Sequence, residues 1–145
     1  MLTRPTEALG SKLAIGSPVD KIERIIHEID TSPLNRGLRG IDWVRDSRNV
    51  ALFLGDDLAL FDYEYPGVYE GHFFFQSRGK EAVLTAKIMT RKMFEEYGAH
   101  MLVGYTPLHL RKACVIASAA GWHYGGIKLT PYGACYVHMA APETH

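Results

Sequence analysis

Hydrophobic residues near the start of the chain recur at the spacing of one helix face. Four isoleucines carry this pattern: Ile22, Ile25, Ile26 and Ile29. The tetrapeptide Ser17-Pro18-Val19-Asp20 precedes them and predicts the helix start, because serine caps free N–H groups, proline suits the first turn and the acidic residue completes a capping-box arrangement. Residues 1–16 show no such period, and both a first strand and a mobile arm stay open for them.

Three strand-like segments follow, each rich in aliphatic and aromatic residues: Asn49 to Leu54, Leu58 to Tyr65 and Val68 to Gln76. Gly55-Asp56-Asp57 and Pro66-Gly67 are turn-forming sequences between them. Because these connections are short, the strands are predicted to form an antiparallel meander. The stretch from Asp30 to Gly40 contains a proline, an asparagine and glycines, and it is predicted to be a loop, with or without one helical turn.

From Lys80 to Tyr97 the hydrophobic spacing becomes helical. The inner face of this predicted long helix is Ala82, Ala86, Met89, Met93 and Tyr97. Gly98 is a typical residue at the end of a helix. A short strand from His100 to Tyr105 is expected to follow.

A second helix is predicted after this strand, opened by Thr106-Pro107 and closed by Gly121. Its inner face is expected to be Leu110, Ala113, Ala117 and Ala120. Two final strands, Trp122 to Ile127 and Ala134 to Met139, are predicted around the turn sequence Thr130-Pro131-Tyr132-Gly133. The two helices are expected to pack on the sheet and to bury a core of Ala86, Met89, Met93, Ala113, Ala117, Ala120 and Trp122.

Composition places the chain among ordinary globular proteins. Its 145 residues are predicted to form a single domain, 1–145. Sixteen basic residues balance sixteen acidic ones, which argues against a nucleic-acid partner. No stretch approaches the roughly 20 apolar residues of a membrane span. Cys114 and Cys135 are interpreted as buried free thiols in a reducing compartment, so a cytoplasmic location is expected.

The most informative stretch is Gln76-Ser77-Arg78-Gly79-Lys80-Glu81-Ala82, between a predicted strand and the start of the long helix. The first N–H groups of a helix have no partner within it, and the positive end of the helix dipole favours an anion. Arg78 and Lys80 add two cationic side chains, and Gly79 lets the backbone approach a ligand closely. The pattern predicts a turn that binds a diphosphate.

The order of elements, with this turn before the long helix, resembles the GNAT family of acyl-CoA-dependent N-acyltransferases over residues 17–140. Gln76 to Ala82 resembles the pyrophosphate loop of the family, Q/R-x-x-G-x-G/A, and Thr106-Pro107 with Ala113 and Gly121-Trp122 resembles its later signature. The segments GHFFFQSRGKEA, GYTP and GWHYGG are most similar to short GNAT-like proteins of tailed bacteriophages, some of which are associated with virion or ejection genes.

The resemblance implies an α+β fold with a mixed, mainly antiparallel sheet flanked by helices. Two central strands, Val68–Gln76 and His100–Tyr105, would splay apart, and the pantetheine of acetyl-CoA or another acyl-CoA would lie in the split. Backbone amides near Phe74 and Phe75 would polarise the thioester carbonyl. The implied cofactor-binding residues are Phe74, Phe75, Gln76, Arg78, Gly79, Lys80 and Ala82.

Three positions depart from the pattern of the family. Glu81 replaces the second small residue of the loop, and its carboxylate would repel a nearby diphosphate. The usual Asn early in the later helix aligns with Leu110. The Tyr that often protonates the departing CoA thiolate aligns with Ala117. The fold therefore matches the family better than the catalytic residues do.

His72, on the strand that is expected to splay, is the first candidate for the general base, since imidazole titrates near neutral pH. Glu70 and Glu64 are alternative bases, acting directly or through water. Tyr105 and His109 flank the start of the later helix and are candidates for the missing acid. Each of these side chains also has a purely structural interpretation, as an exposed strand residue or as part of the packing.

Two functions remain open at this point. The first is transfer of an acetyl or other acyl group from CoA to an amine, on a small molecule or a protein. The second is a catalytically silent GNAT-fold structural or assembly component of a phage virion, bound to other virion proteins; the location is then the host cytoplasm or the particle. The histidines and cysteines show no metal-ligand spacing, so no metal is expected.

Overall fold

The computed structural model describes residues 18–32, 37–131 and 133–142. Its helices are α1 (Pro18–Thr31), α2 (Gly40–Arg45), α3 (Gly79–Glu96) and α4 (Lys112–Ala119). Its strands are β1 (Val50–Leu54), β2 (Asp57–Tyr65), β3 (Val68–Phe74), β4 (Met101–Pro107), β5 (His123–Thr130) and β6 (Gly133–Ala140). The predicted cap at Ser17 and the predicted strand or arm at 1–16 lie outside the described residues.

The strands form one six-stranded sheet in the order β1-β2-β3-β4-β6-β5. The β1–β2–β3 meander is antiparallel, as predicted from its short turns. The β3–β4 pair is parallel, and a parallel pair needs a long crossover, which α3 provides. The two remaining pairs, β4–β6 and β5–β6, are antiparallel. The predicted α+β fold with a mixed, mainly antiparallel sheet is confirmed.

Each face of the sheet carries its own hydrophobic core. Helices α1 and α2 cover one face, where Ile25, Ile29, Trp43 and Val44 pack on inward residues of β1 and β2. Helix α3 covers the other face, where Ala86, Met89 and Met93 pack on Val50, Phe61 and Trp122. Strand β2 is therefore buried on both faces over Leu58–Phe61, which explains its nearly continuous hydrophobic run.

Helix α2 was not predicted, because six residues are too short for a hydrophobic period to show. Its backbone is fixed by contacts distant in sequence. The N–H of Gly40 donates to Asp30 Oδ1 at 2.7 Å. A Cβ on Gly40 would lie 2.6 Å from the Cα of Ile26, so only glycine lets the two helices approach this closely.

The predicted start of the later helix at Thr106-Pro107 is wrong. Strand β4 continues through these residues because they pair with Tyr136 and Cys135 of β6. A 3₁₀ turn, Leu108–Leu110, comes next, and α4 begins only at Lys112.

The predicted inner face of this helix is also wrong in part. Ala120 and Trp122 are buried, as expected. Ala113 is exposed, Ala117 is half-buried and Leu110 is 45% exposed. These three side chains border a cleft, and Ala117 also packs against the core on the α3 side of the sheet.

Both cysteines are free thiols, as predicted, but only Cys135 is buried, and Cys114 is half-buried. Within the part of the chain that the structure describes, none of the helices is both long and apolar enough to cross a membrane.

Candidate functional site

Strands β3 and β4 separate in the middle of the sheet. They pair from Val68↔Met101 to Glu70↔Val103, and the pairing stops there. Beyond this point β3 continues along β2 as far as Phe74, while β4 follows β6 as far as Pro107. The split predicted between these two strands is confirmed, and it leaves two strand edges facing each other without a ladder between them.

Trp122 closes the point of separation on the α3 side. A Cβ on Gly71 would lie 3.2 Å from its Cη2, and one on Gly104 would lie 3.3 Å from its Cζ3. Two opposed glycines thus give the indole room against the backbones of both strands. The indole Nε1 donates to the buried Thr90 Oγ1 of α3 at 3.0 Å, which fixes its orientation.

A cleft of about 220 Å³ occupies the split. Side chains and backbone from four elements line it: His72, Phe73 and Phe74 of β3, Gly104, Tyr105 and Thr106 of β4, Ala113 and Ala117 of α4, and His138 of β6. Tyr105 and His72, two of the predicted catalytic residues, therefore meet in one place. The walls are mainly apolar with a few polar groups, as is common for ligand sites.

A histidine–carboxylate cluster lies on the α1–α2 side of the cleft. His72 Nε2 is 2.9 Å from Asp62 Oδ2 and 3.4 Å from Glu70 Oε2. The tautomer in which Nε2 carries the proton lets His72 donate a hydrogen bond to the Asp62 carboxylate. The indole of Trp43 donates to the other oxygen of Asp62 at 2.6 Å, which holds that carboxylate in place.

Asp62 was missed from the sequence, although strand alternation contained a signal. Leu58, Leu60 and Asp62 share one face of β2, so a carboxylate follows two core leucines on the inward side. The ligand atoms of Asp62, Glu70 and His72 all lie within 4.8 Å of one another, an arrangement that could also hold a cation. The spacing of these residues in sequence did not predict this grouping.

The predicted anion turn leads into an open helix N-terminus. Gly79, the first residue of α3, has φ +58°, a left-handed conformation that favours glycine. No side chain caps the helix at Arg78 among the described residues, and a Cβ on Gly79 would meet nothing within 4 Å. The side chains of Arg78 and Lys80 are exposed. The space beside Gly79 is therefore open, and two exposed cationic side chains flank the start of α3.

Asp57 anchors this turn and was not recognised from the sequence. The buried carboxylate accepts the backbone N–H groups of Gln76 at 2.7 Å and Ser77 at 2.9 Å through one oxygen, Oδ1. Burial alone would raise the pKa of Asp57, but hydrogen bonds from Ser77, Gln76 and Thr85 outweigh burial and hold the pKa below its ordinary value. The Gln76 N–H is consequently already engaged within the protein.

Helix α1 fixes the end of β3 next to this turn. The Arg24 guanidinium donates through Nη2 to the carbonyl of Phe74 at 3.0 Å and through Nη1 to the carbonyl of Asp56. The Phe74 carbonyl is thus engaged, while its side chain packs on the α1–α2 core. On the opposite face Phe75 stacks on Phe73, with ring centroids 4.9 Å apart.

The other predicted residues take separate positions. Ala82 is buried under the turn, and Glu81 is exposed on the first turn of α3. Glu64 and His109 are exposed and do not line the cleft. Tyr105 lines the cleft, and Lys128 Nζ lies 5.6 Å from its ring centroid.

A second histidine in the cleft was also missed. His138 of β6 is 3% exposed, and its Nε2 lies 3.2 Å from Ser118 Oγ of α4. Burial lowers the pKa of His138, because a charged imidazolium loses its hydration there. The lowered pKa favours the neutral imidazole.

No protein-family model and no curated protein matches the sequence. Solved structures do match. A GNAT-family acetyltransferase from Bacillus anthracis aligns with a TM-score of 0.60 and 14% identity over 86% of this chain and 90% of that chain. RimJ from Mycobacterium smegmatis, in complex with CoA-disulfide, aligns with a TM-score of 0.57 and 7% identity over 71% and 57%.

The aminoglycoside acetyltransferase AAC(6')-Ib, in complex with coenzyme A and kanamycin, aligns with a TM-score of 0.53 and 13% identity over 61% of this chain and 60% of that chain. The match thus spans about three fifths of that enzyme. Sequence identities this low are evidence for a shared fold only. The chain has the fold of the GNAT acetyltransferases.

Proposed function

We propose that the protein binds an acyl-CoA in the cleft between β3 and β4 and transfers its acyl group to an amine. The observation that carries the proposal is the end of strand pairing after Glu70 and Val103. The resulting cleft lies next to two open strand edges, an open helix N-terminus and a histidine–carboxylate cluster. Proteins of the same fold were solved as complexes with acetyl-CoA and with coenzyme A.

The residues around the cleft fit the parts of an acyl-CoA. The amide groups of pantetheine would pair with the edge of β3 near Phe74 and Phe75, which lies outside the β3–β4 ladder. The diphosphate would rest on the first N–H groups of α3, at Gly79, Lys80 and Ala82, with the Arg78 side chain beside them. Open space over Gly79 leaves room for phosphate oxygens.

The histidine–carboxylate cluster would prepare the acceptor amine. A primary amine is mostly an ammonium ion at pH 7, and two carboxylates attract it. His72, whose Nε2 lies beside Asp62 and Glu70, would accept one ammonium proton, directly or through water. The neutral amine could then attack the thioester. Tyr105, also in the cleft, stays the candidate acid that was predicted from the sequence.

Small amines are the proposed acceptors. AAC(6')-Ib, which shares the fold, was solved with kanamycin, an aminoglycoside. The carboxylates of Glu70, which is buried, and of Asp62, which is half-buried, lie next to the cleft and suit such cationic molecules. The phage origin and the virion role remain predictions from the sequence alone.

CoA binding is the decisive test. A ligand at 100 times its dissociation constant should stabilise the fold by about 2.7 kcal/mol, visible as a higher melting temperature. Gly79→Glu should abolish this effect, since it places bulk and negative charge where the diphosphate would lie. Thiol release from acetyl-CoA, measured with kanamycin and other primary amines, then tests the transfer.

Gly98→Glu is the matched control. Gly98 stands at the opposite end of α3, also has positive φ (+69°) and is equally open, so the substitution brings the same charge and similar backbone strain. Its CoA response should equal that of the parent. A parent that shows no response to millimolar CoA, or equal responses of both variants, would contradict the proposal.

A further inference from the structure

His138 is a buried imidazole that borders the cleft with one nitrogen uncommitted. Its Nε2 is engaged with Ser118 Oγ at 3.2 Å. Its Nδ1 has no hydrogen-bond partner among residues 18–32, 37–131 and 133–142. The residue as a whole is 3% exposed. The His138 side chain lines the cleft.

His138 lies on the same sheet face as Ala117. His138 pairs with Gly104, the glycine that faces Trp122 on the α3 side of the sheet. It also contacts Ser118 of α4, the residue next to Ala117. Tyr105 follows Gly104 in the strand and therefore points to the opposite face. The methyl group of Ala117 cannot exchange a proton, whereas His138 reaches the cleft from that side.

We propose that His138 is a catalytic residue that carries the proton from the attacking nitrogen to the departing sulfur, with Ser118 as its positioning residue. This role rests on the proposed acyl transfer. It complements His72, which would deprotonate the ammonium on the opposite face before the attack.

The amine nitrogen bonds to the thioester carbon, and the carbonyl π pair moves to oxygen. The excess proton on nitrogen passes to Nδ1 of the neutral His138. The oxyanion re-forms the carbonyl, the C–S bond breaks and its pair leaves on sulfur. The imidazolium then returns the proton to the thiolate, which yields an amide, the CoA thiol and neutral His138.

His138→Gln tests this role, because its amide can keep the contact to Ser118 but cannot take up a proton. We expect kcat with acetyl-CoA and a primary amine to fall by about 10²–10³-fold. The KM for acetyl-CoA and the melting-temperature response to CoA should stay within about twofold. His123→Gln, at an exposed histidine outside the cleft, should match the parent.

A second readout does not need turnover. With ¹⁵N-labelled histidine, CoA should shift the ring-nitrogen resonances of His138 and leave those of His123 in place. If CoA binds and the His138 resonances do not shift, the inference is wrong. It is also wrong if the parent is active and the kcat of His138→Gln lies within twofold of the parent value. A parent that binds no CoA would instead overturn the proposed function itself.

Discussion

Asp57 Oδ1 accepts the backbone N–H of Ser77 at 2.9 Å and thereby joins the start of β2 to the turn before α3. The same oxygen accepts the N–H of Gln76. The position of the open helix N-terminus thus depends on a carboxylate about twenty residues earlier in the chain.

Asp57→Asn should destabilise the fold by about 1–2 kcal/mol at pH 7, since bonds to a charged acceptor become neutral ones. The pKa of Asp57 is lower in the fold than its ordinary value of 3.8. The contribution of the Asp57 charge to the free energy of unfolding is therefore present when the pH is above that ordinary value. It is lost as the pH falls through the pKa of the folded state. Denaturant unfolding at several pH values should show the difference from the parent shrinking below pH 3.8.

Asp56→Asn is the control for this prediction, because the Asp56 side chain is exposed. It should change the free energy of unfolding by less than about 0.5 kcal/mol at any pH. If the difference in free energy of unfolding between Asp57→Asn and the parent stays the same in acid, the charge of Asp57 is not its cause.

Met89→Asp should cost about 3 kcal/mol or more, because Met89 is 2% exposed between α3 and the sheet and the new carboxylate would be buried without a partner. Its neighbour Ile88 is 42% exposed, so Ile88→Asp should cost less than about 1 kcal/mol. Thermal unfolding of the two variants compares them. Similar melting temperatures would mean that the inner face of α3 is assigned wrongly.

Gly71→Ala should destabilise the fold by about 1–3 kcal/mol through overpacking. The added methyl would lie 3.1 Å from Phe61 and 3.2 Å from Trp122, whose rings are held in the core. Gly125→Ala is the control, since its methyl would lie 3.0 Å from the flexible end of Met139, which can move away, and at an ordinary 3.7 Å from Val137. Equal costs for the two variants in chemical unfolding would contradict a tightly held Trp122.

His72→Gln should lower the rate of acyl transfer by about 10²–10⁴-fold while leaving CoA binding intact, since the general base acts on the amine and not on the cofactor. His109→Gln serves as the control, because His109 is exposed and outside the cleft. Thiol release and CoA thermal shifts are measured on both variants. Unchanged turnover in His72→Gln would remove His72 from the mechanism.

The local pattern of the sequence determined most of the elements. Helix α3 has a clear 3.6-residue period, and the strands β1 to β3 are separated by turns that leave few alternatives. The anion turn was predicted for the same reason, since its glycine, its cations and the helix start are neighbours in sequence. The resemblance to GNAT proteins also predicted where the sheet opens, between β3 and β4.

Tertiary structure decided the rest. Helix α2 depends on Asp30 and on the backbone of Ile26, and the extension of β4 to Pro107 depends on pairing with β6. The pairs Asp62–His72 and Ser118–His138 join residues ten and twenty positions apart. Hydrophobic periodicity reports which face of an element is buried, but it holds no information on which polar side chains from different elements meet. That meeting is set by strand register and by the packing of α4 on the sheet, and these exist only in the folded chain.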